Sequence, residues 1–144
     1  MKKNFFTFIS FILLIINFKT FADTSNDVKK IYEGKENAKV TIIVYESLTC
    51  GHCANFHKNI YPDLKKEFID TGLVKIEFRN FPLDMAALNA SKIAHCKNDG
   101  KPNILHFLFN NQKIWAKGDD LDEFNSNLKA IINKENFGIN FEKC

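Results

Sequence analysis

The sequence predicts an α/β fold whose first half alternates strand, helix and strand and whose second half is helical. Three observations carry this expectation. Lys39–Glu46, KVTIIVYE, is rich in β-branched residues and almost continuously apolar, as in a central strand covered on both faces. From Gly51 the period changes: Phe56, Ile60, Leu64 and Phe68 recur every four positions, with Lys58, Asp63, Lys65, Lys66 and Glu67 between them, the pattern of an amphipathic helix. Val74–Phe81, VKIEFRNF, then alternates as a second strand, and Pro82 stops it.

Taken in order, the chain opens with a secretory leader at 1–22. Lys2 and Lys3 give a charged start, Phe5–Phe18 an apolar core, and Thr20, Phe21 and Ala22 a cleavage point after Ala22. The apolar core is shorter than the roughly 20 residues that a spanning helix needs. Residues 1–22 hold Lys2, Lys3 and Lys19 and no acid, so the formal charge of +3 disappears with the leader. The remaining lysines are interspersed with acids rather than clustered, and nothing in the pattern suggests a nucleic-acid surface. Residues 23–144 read as one small domain with no repeat or linker, and the 15 Phe of the chain supply a core.

Within that domain, Lys29–Gly34 reads as a short edge strand and Lys35–Ala38 as a turn. Pro62 should bend the helix that follows without dividing it, and Gly72 should end it. Residues 29–82 thus form a unit with a parallel strand pair. Residues 83–144 are helical: Leu83–Asn98 is Ala-rich, Pro102–Lys117 opens with Pro near its first turn, and Asp119–Lys134 begins with acids. Gly138 closes a helix, and Asn140 is an N-cap signal four residues before Cys144.

Where the buried strand gives way to the helix stands Cys50-Gly51-His52-Cys53. Unpaired N–H groups and the positive end of the helix dipole meet there, favouring a thiolate at Cys50. His52 can add a hydrogen bond or a positive charge to it. Cys53, one turn inside the helix, can attack a mixed disulfide formed at Cys50, so one sulfur captures and the other resolves. Two other readings exist: a redox-silent binding module, and a metal-binding module using Cys50, Cys53 and His57, the last two sharing a helix face. Zinc wants four ligands, and no second CxxC supplies them. Ala54 after Cys53 excludes attachment of a c-type haem, and no cofactor is expected. His57, His95 and His106 otherwise read as ordinary surface or core-edge histidines.

The strand leading into LTCGHCANFH, the helix through YPDLKKEFIDTGLV, the strand IEFRNFPLD and the Ala-rich helix ending AHC resemble the DsbA-like periplasmic thiol:disulfide oxidoreductases of the thioredoxin superfamily, over residues 29–144. The resemblance implies a thioredoxin-like fold with a helical insertion, periplasmic location, and exchange with reduced or misoxidised secreted polypeptides. It also implies a membrane redox partner. Cys50 would be the nucleophile, Cys53 the resolving cysteine, and Gly51 and His52 the dipeptide that sets redox poise. Gly-His is the pair of disulfide isomerases where the family usually has Pro-His, which leaves oxidase, isomerase and reductase open. The acid often found six residues before the first cysteine is Val44 here; Glu46, on the same face of the strand, is the candidate proton acceptor for Cys53. Some relatives carry a second disulfide, for which Cys96 and Cys144 are the candidates. The cis-proline loop, strands and final helix of the family do not occur before Cys144, so the chain reads as a piece without the C-terminal strands and helix.

Overall fold

The computed structural model describes residues 27–144; the leader read at 1–22 lies outside the described residues. Three strands, β1 (Ile31–Glu33), β2 (Val40–Glu46) and β3 (Val74–Asn80), form one sheet in the order β1, β3, β2. β1 runs antiparallel to β3 with Ile31 opposite Phe78, while β2 runs parallel to it with Val44 beside Phe78 and Glu46 beside Asn80. A parallel pair needs a long crossover, which the helical residues between β2 and β3 supply.

Among the described residues β3 is the middle strand, β2 lies at the sheet edge, and β2 is covered on one face. Ile43 and Tyr45 point outward, 45% and 62% exposed, whereas Ile42 and Val44 are half-buried and Glu46 is buried. An apolar run reports the chemistry of its side chains, not how many layers cover them, and β2 keeps one apolar face open.

The crossover is α1 (Gly51–Asn59), α2 (Tyr61–Leu64) and a π-helical turn at Lys65–Ile69. The interruption at Ile60 is a bend: its backbone stays in the right-handed helical region, its N–H donates to Phe56 C=O at 2.9 Å and its C=O accepts from Leu64 N–H at 3.1 Å, with Pro62 in the first turn of α2. The π turn, closed by Asp70 N–H donating to Lys65 C=O at 2.9 Å, inserts a residue ahead of Ile69. Ile60 and Phe68 are exposed, and the buried positions are His57, Tyr61 and Ile69, each one residue after a position the apolar period selects. Gly72 ends the crossover at φ +83°, a conformation that favours glycine.

In the second half, α3 (Met85–His95) starts on Asp84, whose carboxylate accepts from Ala87 N–H at 2.7 Å. Pro102–Lys117 becomes α4 (Asn103–Asn110) and α5 (Gln112–Trp115), divided at Asn111. α6 (Leu121–Glu135) is capped by Asp120 and ends at Asn136, whose φ is +52°, so Asn136 and not Gly138 closes it. Asn140 caps a short 3-10 turn, Phe141–Lys143. Ile76 and Phe78 of β3 share one apolar cluster with Leu105, Leu108, Trp115 and Leu128, so the helical half is built onto the sheet.

Candidate active site

β2 ends in the buried Glu46, and Ser47, Leu48 and Thr49 turn the chain into α1. Cys50 is the N-cap of that helix. Its Sγ accepts a hydrogen bond from the Cys53 N–H at 3.2 Å, the place usually taken by a Ser, Thr or Asp oxygen. The Cys50 and Cys53 thiols are free and half-buried. Burial, the hydrogen bond with Cys50 and the charges of Cys50 and Glu46 push the Cys53 thiol up to about 11, against a backbone bond at Ser47 that lowers it. A thiol held up in this way keeps its proton at neutral pH. His52 is exposed on the opening turn, and a Cβ built at Gly51 would meet nothing within 4 Å, so space alone does not impose glycine there.

The turn that carries Cys50 is held from the helical half. The Gln112 side-chain amide at the start of α5 donates to the carbonyls of Leu48 and Cys50 at 2.8 and 3.0 Å. The Thr49 hydroxyl donates to the Asp84 cap of α3 at 2.7 Å. These contacts span 62 and 35 residues from Cys50 and Thr49, and nothing in the local sequence announces them.

Behind the cysteines lies a buried polar group. Glu46 Oε2 is 2.7 Å from His57 Nε2, and both side chains are 1% exposed. His57 Nδ1 is 3.0 Å from His106 Nδ1, and the His57 ring stacks on Phe109 with centroids 4.0 Å apart. Cys53 and His57 are one helical turn apart on the same face of α1. This spacing was legible; the buried role of His57 was not, because its partners come from β2 and α4. With both ring nitrogens of His57 engaged, it is not available beside the two sulfurs. Among the described residues no group of three or more His, Cys, Asp or Glu side chains is placed to hold a metal ion.

Further along, Glu33 of β1 accepts hydrogen bonds from the Tyr61 hydroxyl and from Lys65 Nζ. His106 contributes most to holding the Glu33 carboxyl down at about 2, Lys65 and Tyr61 add to this, and burial works against them. Burial and the Glu33 charge push the Tyr61 phenol far up. The sulfurs of Cys96 and Cys144 are bonded, with Cα atoms 5.2 Å apart across 48 residues of chain.

A family model described as thioredoxin matches residues 26–143. A candidate protein-disulfide oxidoreductase of Rickettsia bellii is 38% identical over 116 residues, covering 78% of this chain and 45% of that protein. The chain thus spans less than half the length of that relative. The crystal structure of Wolbachia pipientis α-DsbA1 superposes with a TM-score of 0.57 at 30% identity, covering 80% of this chain and 70% of the other. A protein-disulfide isomerase of Novosphingobium aromaticivorans superposes at 0.64 over 77% of this chain and 66% of its own, a likeness of fold at 18% identity. With the thioredoxin match over nearly all the described chain and the α-DsbA1 likeness across its CxxC half and helical half alike, the chain belongs to the DsbA-like branch of the thioredoxin superfamily.

Proposed function

We propose that this chain exchanges thiols and disulfides in exported polypeptides through Cys50 and Cys53. The observation that carries the reading is the asymmetry of the pair. Cys50 Sγ caps α1 and takes a hydrogen bond from the Cys53 N–H, while the Cys53 thiol is held protonated. When the pair is oxidised, a substrate thiolate attacks Cys50 Sγ, the Cys50–Cys53 bond breaks, and Cys53 leaves with the electron pair and takes up a proton. A second substrate thiolate then attacks the substrate sulfur of the mixed disulfide and releases Cys50. Two substrate thiols have become a disulfide and the Cys50–Cys53 pair has been reduced. A membrane-bound redox partner returns the pair to the disulfide.

Glu46 serves as the proton acceptor and donor for Cys53: it lies on the inner face of β2 and its charge acts on the thiol. Gly51 and His52 set the redox poise. Residues 1–22 direct export with cleavage near Ala22, consistent with a Cys96–Cys144 disulfide that an oxidising compartment preserves. The name of the Rickettsia relative and the identity of the Wolbachia neighbour support the same activity. The test is a pair of trapping variants. Cys53→Ser should accumulate mixed disulfides between Cys50 and disulfide-bearing substrate chains, the displaced substrate sulfur leaving as a thiol, visible on a non-reducing gel, and Cys50→Ser should accumulate none. The reverse pattern would exchange the roles of the two sulfurs, and trapping by neither would end the proposal.

A further inference from the structure

Two atoms of the polar group behind the cysteines are buried without a hydrogen-bond partner: Glu46 Oε1 and His106 Nε2. They are the two ends of one line. Glu46 Oε2 meets His57 Nε2 at 2.7 Å, and His57 Nδ1 meets His106 Nδ1 at 3.0 Å. Nitrogens that close hold a single proton between them, which belongs to one ring or the other, and the carboxylate contact holds one in the same way. An imidazole can accept on one nitrogen while releasing from the other, as a carboxyl can with its two oxygens. At the inner end stands Cys53, on the same face of α1 as His57. At the outer end His106 Nε2 faces Glu33 Oε2 at 3.6 Å, where the side chains are 21% and 26% exposed. Phe78 and Phe109 wall the line with apolar rings, so the titratable groups facing it are Cys53, Glu33 and Tyr61, with Lys65 bonded to Glu33.

We propose that Glu46, His57 and His106 relay the proton that Cys53 exchanges, carrying it between the buried sulfur and the solvent beside Glu33. This rests on the thiol-exchange role of Cys50 and Cys53. When Cys53 resolves a mixed disulfide, its sulfur attacks Cys50 Sγ and the Cys50–Cys53 bond forms. The bond from Cys50 to the partner sulfur breaks, and the partner leaves as a thiolate. The Cys53 proton passes to Glu46 Oε1, one passes from Oε2 to His57 Nε2, one from His57 Nδ1 to His106 Nδ1, and one from His106 Nε2 to solvent. Each relay group gains one proton and loses one, so no net charge is left in the buried site. When Cys53 is instead the leaving group, the same moves run inward and deliver its proton. His57 and His106 are positioning residues by this account, since neither touches substrate.

The test uses the reduced chain and a symmetrical aromatic disulfide whose released thiolate is coloured. The first release reports attack by Cys50, and the second reports resolution by Cys53. His106→Gln keeps size and polarity but cannot accept and release protons on two ring nitrogens. It should slow the second release by roughly 10- to 100-fold relative to the first. The deficit should close as pH rises toward about 11, where the Cys53 thiol ionises unaided. Glu33→Gln, at the more open end, should give a smaller deficit with the same pH dependence, and it serves if His106→Gln does not fold. A second release unchanged in the folded variants, or a deficit that persists at high pH, overturns the relay. Failure of the unsubstituted chain to give a second release at all overturns the thiol-exchange reading itself, and the relay with it.

Discussion

Cys50 and Cys53 stand three residues apart at the start of one helix as free thiols, whereas Cys96 and Cys144 lie 48 residues apart and are bonded. The first pair is brought together by secondary structure alone: any helix begun at Gly51 puts residues 50 and 53 within one turn. It can open and close while the fold stays as it is. The second pair is brought together only by the packing of α6 and the final 3-10 turn against α3, and its bond ties the last residues to the helical half. One pair is placed for chemistry and the other for mechanical closure.

The strongest way to break this comparison is to remove the remote pair. Converting both Cys96 and Cys144 to Ala should lower stability by about 2–4 kcal/mol in denaturant titration, through the loop that the bond closes. The Cys50 and Cys53 exchange reaction should survive in the variant under native conditions. Equal loss of exchange and of stability would mean that the two regions are one unit. A sharper probe is Gln112, which holds the Cys50 turn from the helical half. Gln112→Leu leaves the Leu48 and Cys50 carbonyls without that donor and should cost about 1–3 kcal/mol. It should also slow mixed-disulfide formation at Cys50, and a variant with the stability loss but unchanged exchange would show that the turn keeps its shape alone.

The smallest expected effect concerns Glu33. Its carboxyl is held at about 2, below the ordinary 4.5, so the folded state binds this proton less readily than the unfolded chain does. The contribution is therefore present above pH 4.5 and lost as pH falls toward 2. Denaturant titrations of the chain and of Glu33→Gln should differ most above that window and converge within it. A constant difference across the window would locate the effect in packing and not in charge.

How much of this was legible in the sequence varied with the distance between partners. The junction of strand and helix at Cys50, the strand at 74–80, the acid-led helix of 121–135 and the Asn140 cap all follow from patterns within a few residues. The inward face of the crossover did not follow. Its apolar period selected Ile60 and Phe68, which are exposed, whereas Glu46 and Glu33 supply partners that let His57 and Tyr61 sit inside, and the π turn lies beyond both. The polar residues His57 and Tyr61 carried no sign of burial in their own neighbourhood.

By itself the sequence determined a CxxC at a helix start after a strand, a parallel pair of strands with a helical crossover, and a helical second half. Each of these is decided by side chains close along the chain, where spacing and capping act before any long-range contact forms. Only the tertiary structure decided that β3 is the middle strand of the described sheet, that Gln112 holds the Cys50 turn, that His106 completes a line from Glu46, and that Cys96 meets Cys144. Those pairings join residues 34 to 62 positions apart, and apolar period carries no record of which distant backbone or side chain will arrive beside it.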